Sequence, residues 1–236
     1  MSNSEEQEEL QIGRKLTEDI VDDDTAEKLK KNGTILGIFL VVVLAAVGYY
    51  YYSSSQAEKS EAEAAVALSK VLTEYEAGNY AVALDGGAGA DGSEVTGLTS
   101  IANKYDDVAE GKLAALYAGN AFVESGQYDE AKGYFEKASS SEANLVKSGA
   151  YAGLALVAEN NSDYANAADN YNKAANNLEE PTLKAKYLFY SALNNEAAGN
   201  KDEAKKIYES IVDIAESSEF AKQSKAKLAS LGTKID

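Results

Sequence analysis

The 236-residue chain has no cysteine, no histidine and no tryptophan, one methionine and one proline. Without cysteine it can form no disulfide, no thiolate nucleophile, no thiolate-ligated metal site and no acylated lipoprotein anchor. Such a composition fits an oxidising compartment without requiring one. Without histidine it lacks the commonest general base and the commonest metal ligand. What remains for catalysis is Ser, Lys, Tyr and carboxylates, and no arrangement of these marks a reaction centre. No catalytic residue, cofactor site or metal site is expected, and the chain reads as a non-enzyme. With Pro181 as its sole proline, long helices can run without interruption.

Positive charge is scarce as well. The chain carries 22 basic against 39 acidic side chains, a net charge of -17. Phosphate backbones and anionic headgroups repel such a chain. Neither nucleic acid nor a small-molecule substrate is an expected partner. One stretch lacks charge of either sign. Between Lys31 and Glu58 no side chain is ionised, and the centre, Thr34 to Tyr52, is apolar and aromatic. As a helix those residues would extend roughly 28 Å, close to a hydrocarbon core of about 30 Å. The sequence therefore predicts one transmembrane helix within residues 32–53. Lys28, Lys30 and Lys31 precede it and only Lys59 follows closely. That bias keeps the amino terminus cytoplasmic and exports the rest, with Tyr49 to Tyr52 at the outer interface. A cleavage site at Ala46-Val47-Gly48 is the rival reading. The long acidic leader and the full-length apolar run argue against it.

Residues 1–31, with 5 basic and 10 acidic side chains, read as an acidic tail, expected to be disordered. Residues 54–111 read as a linker helix at about 57–77, after a break at Ser53 to Gln56, followed by a degenerate repeat and a glycine-rich loop. Residues 112–217 read as three helical repeats, and residues 218–236 as a capping helix and terminus.

The repeats are visible as recurring residues. Gly126, Tyr128, Ala131, Phe135 and Ala138 form one set; Ser162, Tyr164, Ala167, Tyr171 and Ala174 a second; Gly199, Ala204, Tyr208 and Ile211 a third. The central alanines stand 36 and 37 residues apart. A period near 34 with two helices per unit is that of a helical solenoid. The small residue makes the turn, the alanine lets two helices approach, and the aromatic four positions on shares its face. Lys201 and Ile211 depart from the pattern, so the third unit is expected to pack less regularly. Glu76 to Leu84 holds a degenerate earlier copy.

These positions, with Gly119 and Phe122 in the first helix of the first unit, resemble the tetratricopeptide repeat. The resemblance implies an all-α fold: a single N-terminal transmembrane helix followed by a tetratricopeptide-repeat-like α-solenoid. The order of tail, span, linker helix and degenerate repeats is similar to the YfgM-type family of membrane-anchored repeat proteins. Ala83-Leu84-Asp85-Gly86, Gly97-Leu98, Ile101-Ala102, Tyr105 and Ala114 to Gly119 resemble Bacteroidetes-type relatives. That resemblance implies a periplasmic interaction scaffold in the bacterial inner membrane, an ancillary subunit or chaperone-linking factor at the Sec translocon. Its implied partners are Sec subunits and periplasmic chaperones. A structural assembly factor for another envelope complex is the alternative.

Gly87-Ala-Gly89-Ala-Asp-Gly92 spells the dinucleotide fingerprint, but no βαβ pattern surrounds it. A glycine loop joining degenerate helices is the expectation. The carboxylate-clamp variety of the repeat is broken here, with Leu116 where lysine is needed and Gly153 where asparagine is needed. In the same register the concave face would carry Leu113, Leu116, Asn120 and Val123 from the first unit. The second would add Ala152 and Leu156, and the third Phe189 and Leu193. Glu124, Glu159 and Glu196 would form an acidic rim. An apolar groove with an acidic edge suits an amphipathic or basic helix, unless the linker or capping helix fills it.

Overall fold

The structure is a computed structural model that describes the backbone of residues 23–232 and the side chains of residues 42–50 and 54–232. It divides into a unit of residues 1–56 and a unit of residues 57–236. Most of the acidic tail lies outside the described residues, as does most of the predicted span's side-chain structure. Helix α1 runs Asp23–Glu76. It takes in Ser53 to Gln56, where the sequence predicts a break. Serine and glutamine lower helix propensity only mildly, and neither proline nor glycine stands there to end the helix. In the first unit the described side chains, residues 42–50 and 54–56, are all exposed, with Val42 59%, Leu44 61% and Tyr49 74% accessible. Among the described residues no helix is long and apolar enough to cross a membrane.

In the second unit the end of α1 leads into a short helix, α2 (Tyr80–Asp85). A two-stranded ribbon follows, β1 (Gly86–Ala88) and β2 (Glu94–Thr96), and then α3 (Leu98–Lys104). The ribbon is antiparallel, with Gly87 opposite Val95. The dinucleotide-like glycines thus build a hairpin rather than an irregular loop. Gly92 N donates to the Gly89 carbonyl at 2.9 Å, and Gly86 takes φ 81°, where a side chain is disfavoured. A Cβ at Gly86 would also stand 2.6 Å from the Val95 carbonyl oxygen.

Helix pairs follow: α4 (Ala109–Glu124) with α5 (Tyr128–Ser139), α6 (Asn144–Asn160) with α7 (Tyr164–Asn176), and α8 (Pro181–Ala197) with α9 (Lys201–Ile214). Helix α10 (Glu219–Ser230) closes the array. Successive helices from α3 to α10 pack on one another, and α4 also meets α6, as α8 meets α10. Each pair turns by the same device. Gly126 N donates to the Val123 carbonyl and Gln127 N to the Phe122 carbonyl, at 2.9 and 2.8 Å. The same two bonds recur at Gly78 and Asn79, Ser162 and Asp163, and Gly199 and Asn200. The turn residue must take positive φ: Gly78, Gly126 and Gly199 lie at 78°, 76° and 85°, and Ser162 at 59°.

The core runs along the array in three clusters. Ala64, Leu68 and Val71 of α1 meet Leu98, Ile101 and Ala114 in the first. Ala131, Phe135 and Val157 form the second, and Phe189, Tyr208, Ile211 and Leu228 belong to the third. Ile211 is fully buried. Its departure from the repeat pattern therefore fills the core instead of loosening it. Ser218 caps α10 by accepting from Ala221 N at 3.1 Å, and Phe220 and Leu231 pack on the third cluster.

Candidate functional site

The expected concave residues all fall on first helices of the pairs: Leu113, Leu116, Asn120 and Val123 on α4, Ala152 and Leu156 on α6, Phe189 and Leu193 on α8. Their surroundings differ. Leu156 is 42% exposed and is the most open apolar side chain of the set. Leu113, Leu116, Asn120, Val123, Ala152 and Leu193 are half-buried. Leu116 lies where α4 meets α6, for a Cβ at Gly149 would stand 3.2 Å from its Cδ2. Phe189 is only 7% exposed. Its ring lies 5.7 Å from Tyr208 and 5.8 Å from Phe220 of α10. The capping helix therefore covers the position that the register assigns to an open groove.

Asn120 is held from the other end of the array. Its side chain lies close to Tyr75, whose phenol is pushed up by burial, with nearby Tyr80 and Glu124 adding to the rise. Tyr75 packs edge-on against Tyr117 at 5.0 Å and against Tyr80 at 5.6 Å. The linker helix thus reaches the first repeat through an aromatic cluster.

The acidic rim is not free. Tyr171 donates to Glu159 at 3.2 Å, and Asn194 of the next pair donates to the same carboxylate at 2.6 Å. Tyr208 donates to Glu196 at 2.5 Å, and Lys227 of α10 pairs with it at 3.2 Å. Burial first, then the adjacent carboxylate, raises both phenols far above the ordinary tyrosine range. These phenols stay protonated and act as fixed donors. They join the two helices of a pair, and through Asn194 and Lys227 each joins the next helix along. Of the three glutamates only Glu124 stands exposed without such a bond. The sequence does hold the signal: each glutamate precedes its tyrosine by 12 residues, whereas Val123 stands 12 before Phe135. Among the described residues no cluster of Asp or Glu is placed to hold a metal ion.

A model of the tetratricopeptide repeat family matches residues 113–141 and 186–218. The first match runs from within α4 through α5, the second from within α8 through α9. The α6–α7 pair lies between them, built with the same turn but with serine in the glycine position. No curated protein matches the chain. The array is an all-α tetratricopeptide-like helical repeat, which suggests a scaffold for protein–protein interaction.

Proposed function

We propose that this chain is a membrane-anchored, exported interaction scaffold that presents the first helices of its repeats to partner proteins at the outer face of a bacterial inner membrane. The observation that carries the binding reading is the exposed Leu156, with half-buried Leu116, Ala152 and Leu193 also on first helices of the pairs, within a fold whose matched family is the tetratricopeptide repeat. Single exposed leucines are ordinary, but a set on aligned first helices is what a helix-in-groove partner needs. The uncommitted edge at Glu124 favours a partner with a basic flank. Anchoring is supported by the charge-free run from residue 32 to 57 with lysines before it. Residues 42–50 are exposed and apolar around the whole helix, which calls for an apolar medium. A span concentrates the scaffold at the membrane, so weak contacts gain occupancy. By resemblance, the Sec translocon and periplasmic chaperones are the partners we assign.

Co-purification from native membranes in mild detergent, with mass spectrometry, tests this reading. Wild type is expected to enrich Sec subunits or periplasmic chaperones over an unrelated anchored control, and Leu156→Lys to lose them. Retrieval of one stoichiometric envelope complex without Sec subunits would replace the translocon by an assembly role. Protection of the carboxy-terminal unit from protease added to intact spheroplasts would overturn the proposed orientation.

A further inference from the structure

The carboxylates at the ends of the first helices meet different fates. Glu159 accepts from Tyr171 and Asn194, and Glu196 accepts from Tyr208 and pairs with Lys227 of α10 at 3.2 Å. Glu124, in the last turn of α4, is exposed and has neither a hydrogen bond nor an ion pair among the described residues. It stands one residue past Val123, which packs with Phe135 of the second helix. One residue turns a helical side chain by about 100°. Glu124 instead lies close to Tyr75 at the end of α1.

Three phenols gather there. Tyr75 meets Tyr117 and Tyr80 at 5.0 and 5.6 Å, with ring planes inclined at 74° and 65°. All three are half-buried, so each shows part of itself to solvent. Steeply inclined rings present faces in more than one direction, and each face carries the negative lobe of the ring quadrupole. Elsewhere the chain sets its own ammonium groups over tyrosines: Lys104 over Tyr105 at 4.6 Å, Lys173 over Tyr151 at 5.9 Å and Lys186 over Tyr187 at 5.5 Å. Among the described residues no such cation stands over Tyr75, Tyr80 or Tyr117. The sequence brings none near: residues 71–103 and 113–131 hold five and three acidic side chains and no basic one. Glu74, beside Tyr75, is already occupied. It is 5% exposed and accepts from Ala90 N and Asn79 Nδ2, each at 2.8 Å. Glu124 is left uncompensated next to aromatic faces.

We propose that Tyr75, Tyr80, Tyr117 and Glu124, with the Asn120 amide beside them, receive the cationic side chain, lysine or arginine, of a bound polypeptide. This rests on the reading of the chain as a protein-binding scaffold and names the residues that meet its partner's basic flank. Ring faces attract a cation within about 6 Å, and the carboxylate supplies its counter-charge. An ammonium or guanidinium only donates, and the phenol oxygens, the Asn120 carbonyl and the Glu124 carboxylate all accept. The acidic segments around the site steer a cation to it, an effect that salt weakens. The third pair shows the same chemistry met from within, where Lys227 reaches Glu196 beside Tyr208.

The test uses full-length protein in an uncharged detergent, with ¹³C-labelled tyrosine rings and ¹⁵N-labelled asparagine. The probes are N-acetyl-lysine amide, N-acetyl-arginine amide, the neutral N-acetyl-norleucine amide, and choline. Shifts at Tyr75, Tyr80, Tyr117 and Asn120 with the lysine or arginine probe, absent with norleucine and shrinking as salt is raised, support the site. Glu124→Gln, which removes no contact within the fold, and Tyr117→Leu are each expected to weaken binding about two- to fivefold. Equal shifts with norleucine, or unchanged affinity in Glu124→Gln, overturn the site. A stronger response to choline overturns the side-chain assignment. If the probes give no shifts while wild type still enriches partner proteins and Leu156→Lys loses them, the cation site fails and the scaffold reading stands. If the shifts appear but native membranes yield no partner, the scaffold reading fails, and with it the polypeptide as source of the cation.

Discussion

The aromatic that locks each helix pair is handled in two ways along the array. In the first pair Phe135 is fully buried between α4 and α6. A Cβ at Gly119 would stand 2.6 Å from its ring, and one at Gly153 closer still. In the second and third pairs the equivalent residues are Tyr171 and Tyr208, each with a glutamate 12 residues earlier to receive its hydroxyl. A phenyl ring needs space, and glycine supplies it. A phenol also needs an acceptor, and an unmet buried hydroxyl would cost about 1–3 kcal/mol. The carboxylates then reach onward, Glu159 to Asn194 and Glu196 to Lys227, so the polar solution ties neighbouring pairs together. The dry solution joins α4 to α6 of the next pair by packing alone.

The largest break in this comparison comes from emptying the dry site. Phe135→Ala is expected to destabilise the repeat unit by about 3–5 kcal/mol, because the backbone at Gly119 and Gly153 cannot close around the cavity. Denaturant unfolding followed by circular dichroism measures it. A loss below about 1 kcal/mol would mean that the site collapses freely. Next in size is a conversion of one solution into the other. Phe135→Tyr adds a hydroxyl opposite Val123 and is expected to cost about 1–3 kcal/mol. Adding Val123→Glu should recover much of that loss, and a double-mutant cycle reads the coupling. Absence of coupling would show that the 12-residue spacing is not the operative feature.

The two solutions also separate with pH. Burial and the neighbouring carboxylates raise the phenols of Tyr171 and Tyr208, while an unfolded tyrosine titrates near pH ~10. The folded chain therefore holds these protons more tightly than the unfolded one. Their contribution is complete below pH ~10 and falls as pH rises beyond it. Wild type should lose denaturant midpoint above that pH. A variant carrying Glu159→Val, Tyr171→Phe, Glu196→Val and Tyr208→Phe should lose less. Equal alkaline slopes for the two would remove these tyrosines from the account.

The repeat arithmetic was legible because it rests on residue types with one use each. Glycine or a small residue marks the turn at 78, 126, 162 and 199, and alanine marks the close approach at 131, 167 and 204. The hairpin at Gly86 to Thr96 was not legible, because three-residue strands carry no period and their glycines fit a loop equally well. The fate of Phe189 was hidden for another reason. Register assigns a side chain to a face, but whether α10 then covers that face depends on tertiary packing. Glu159 and Glu196 looked like a rim for the same cause. Their acceptor role appears only once Tyr171 and Tyr208 are read as phenols that need partners, not as substitutes for phenylalanine.

Ser162 gives the smallest and most local test of how uniform the array is. It occupies the turn position that Gly78, Gly126 and Gly199 fill elsewhere, and it is the only non-glycine residue with positive φ among the described residues. A side chain in that region costs about 1–2 kcal/mol in local strain. Glycine would relieve that strain but would widen the unfolded ensemble, an opposing effect of about 0.4–1 kcal/mol. The balance favours Ser162→Gly by about 0.5 kcal/mol, readable as a small rise in urea midpoint with the slope unchanged. The backbone bonds from Ser162 N to Glu159 and from Asp163 N to Ala158 do not involve the side chain, so they persist. A fall in midpoint would mean that the serine side chain stabilises this turn in a way the other three do without.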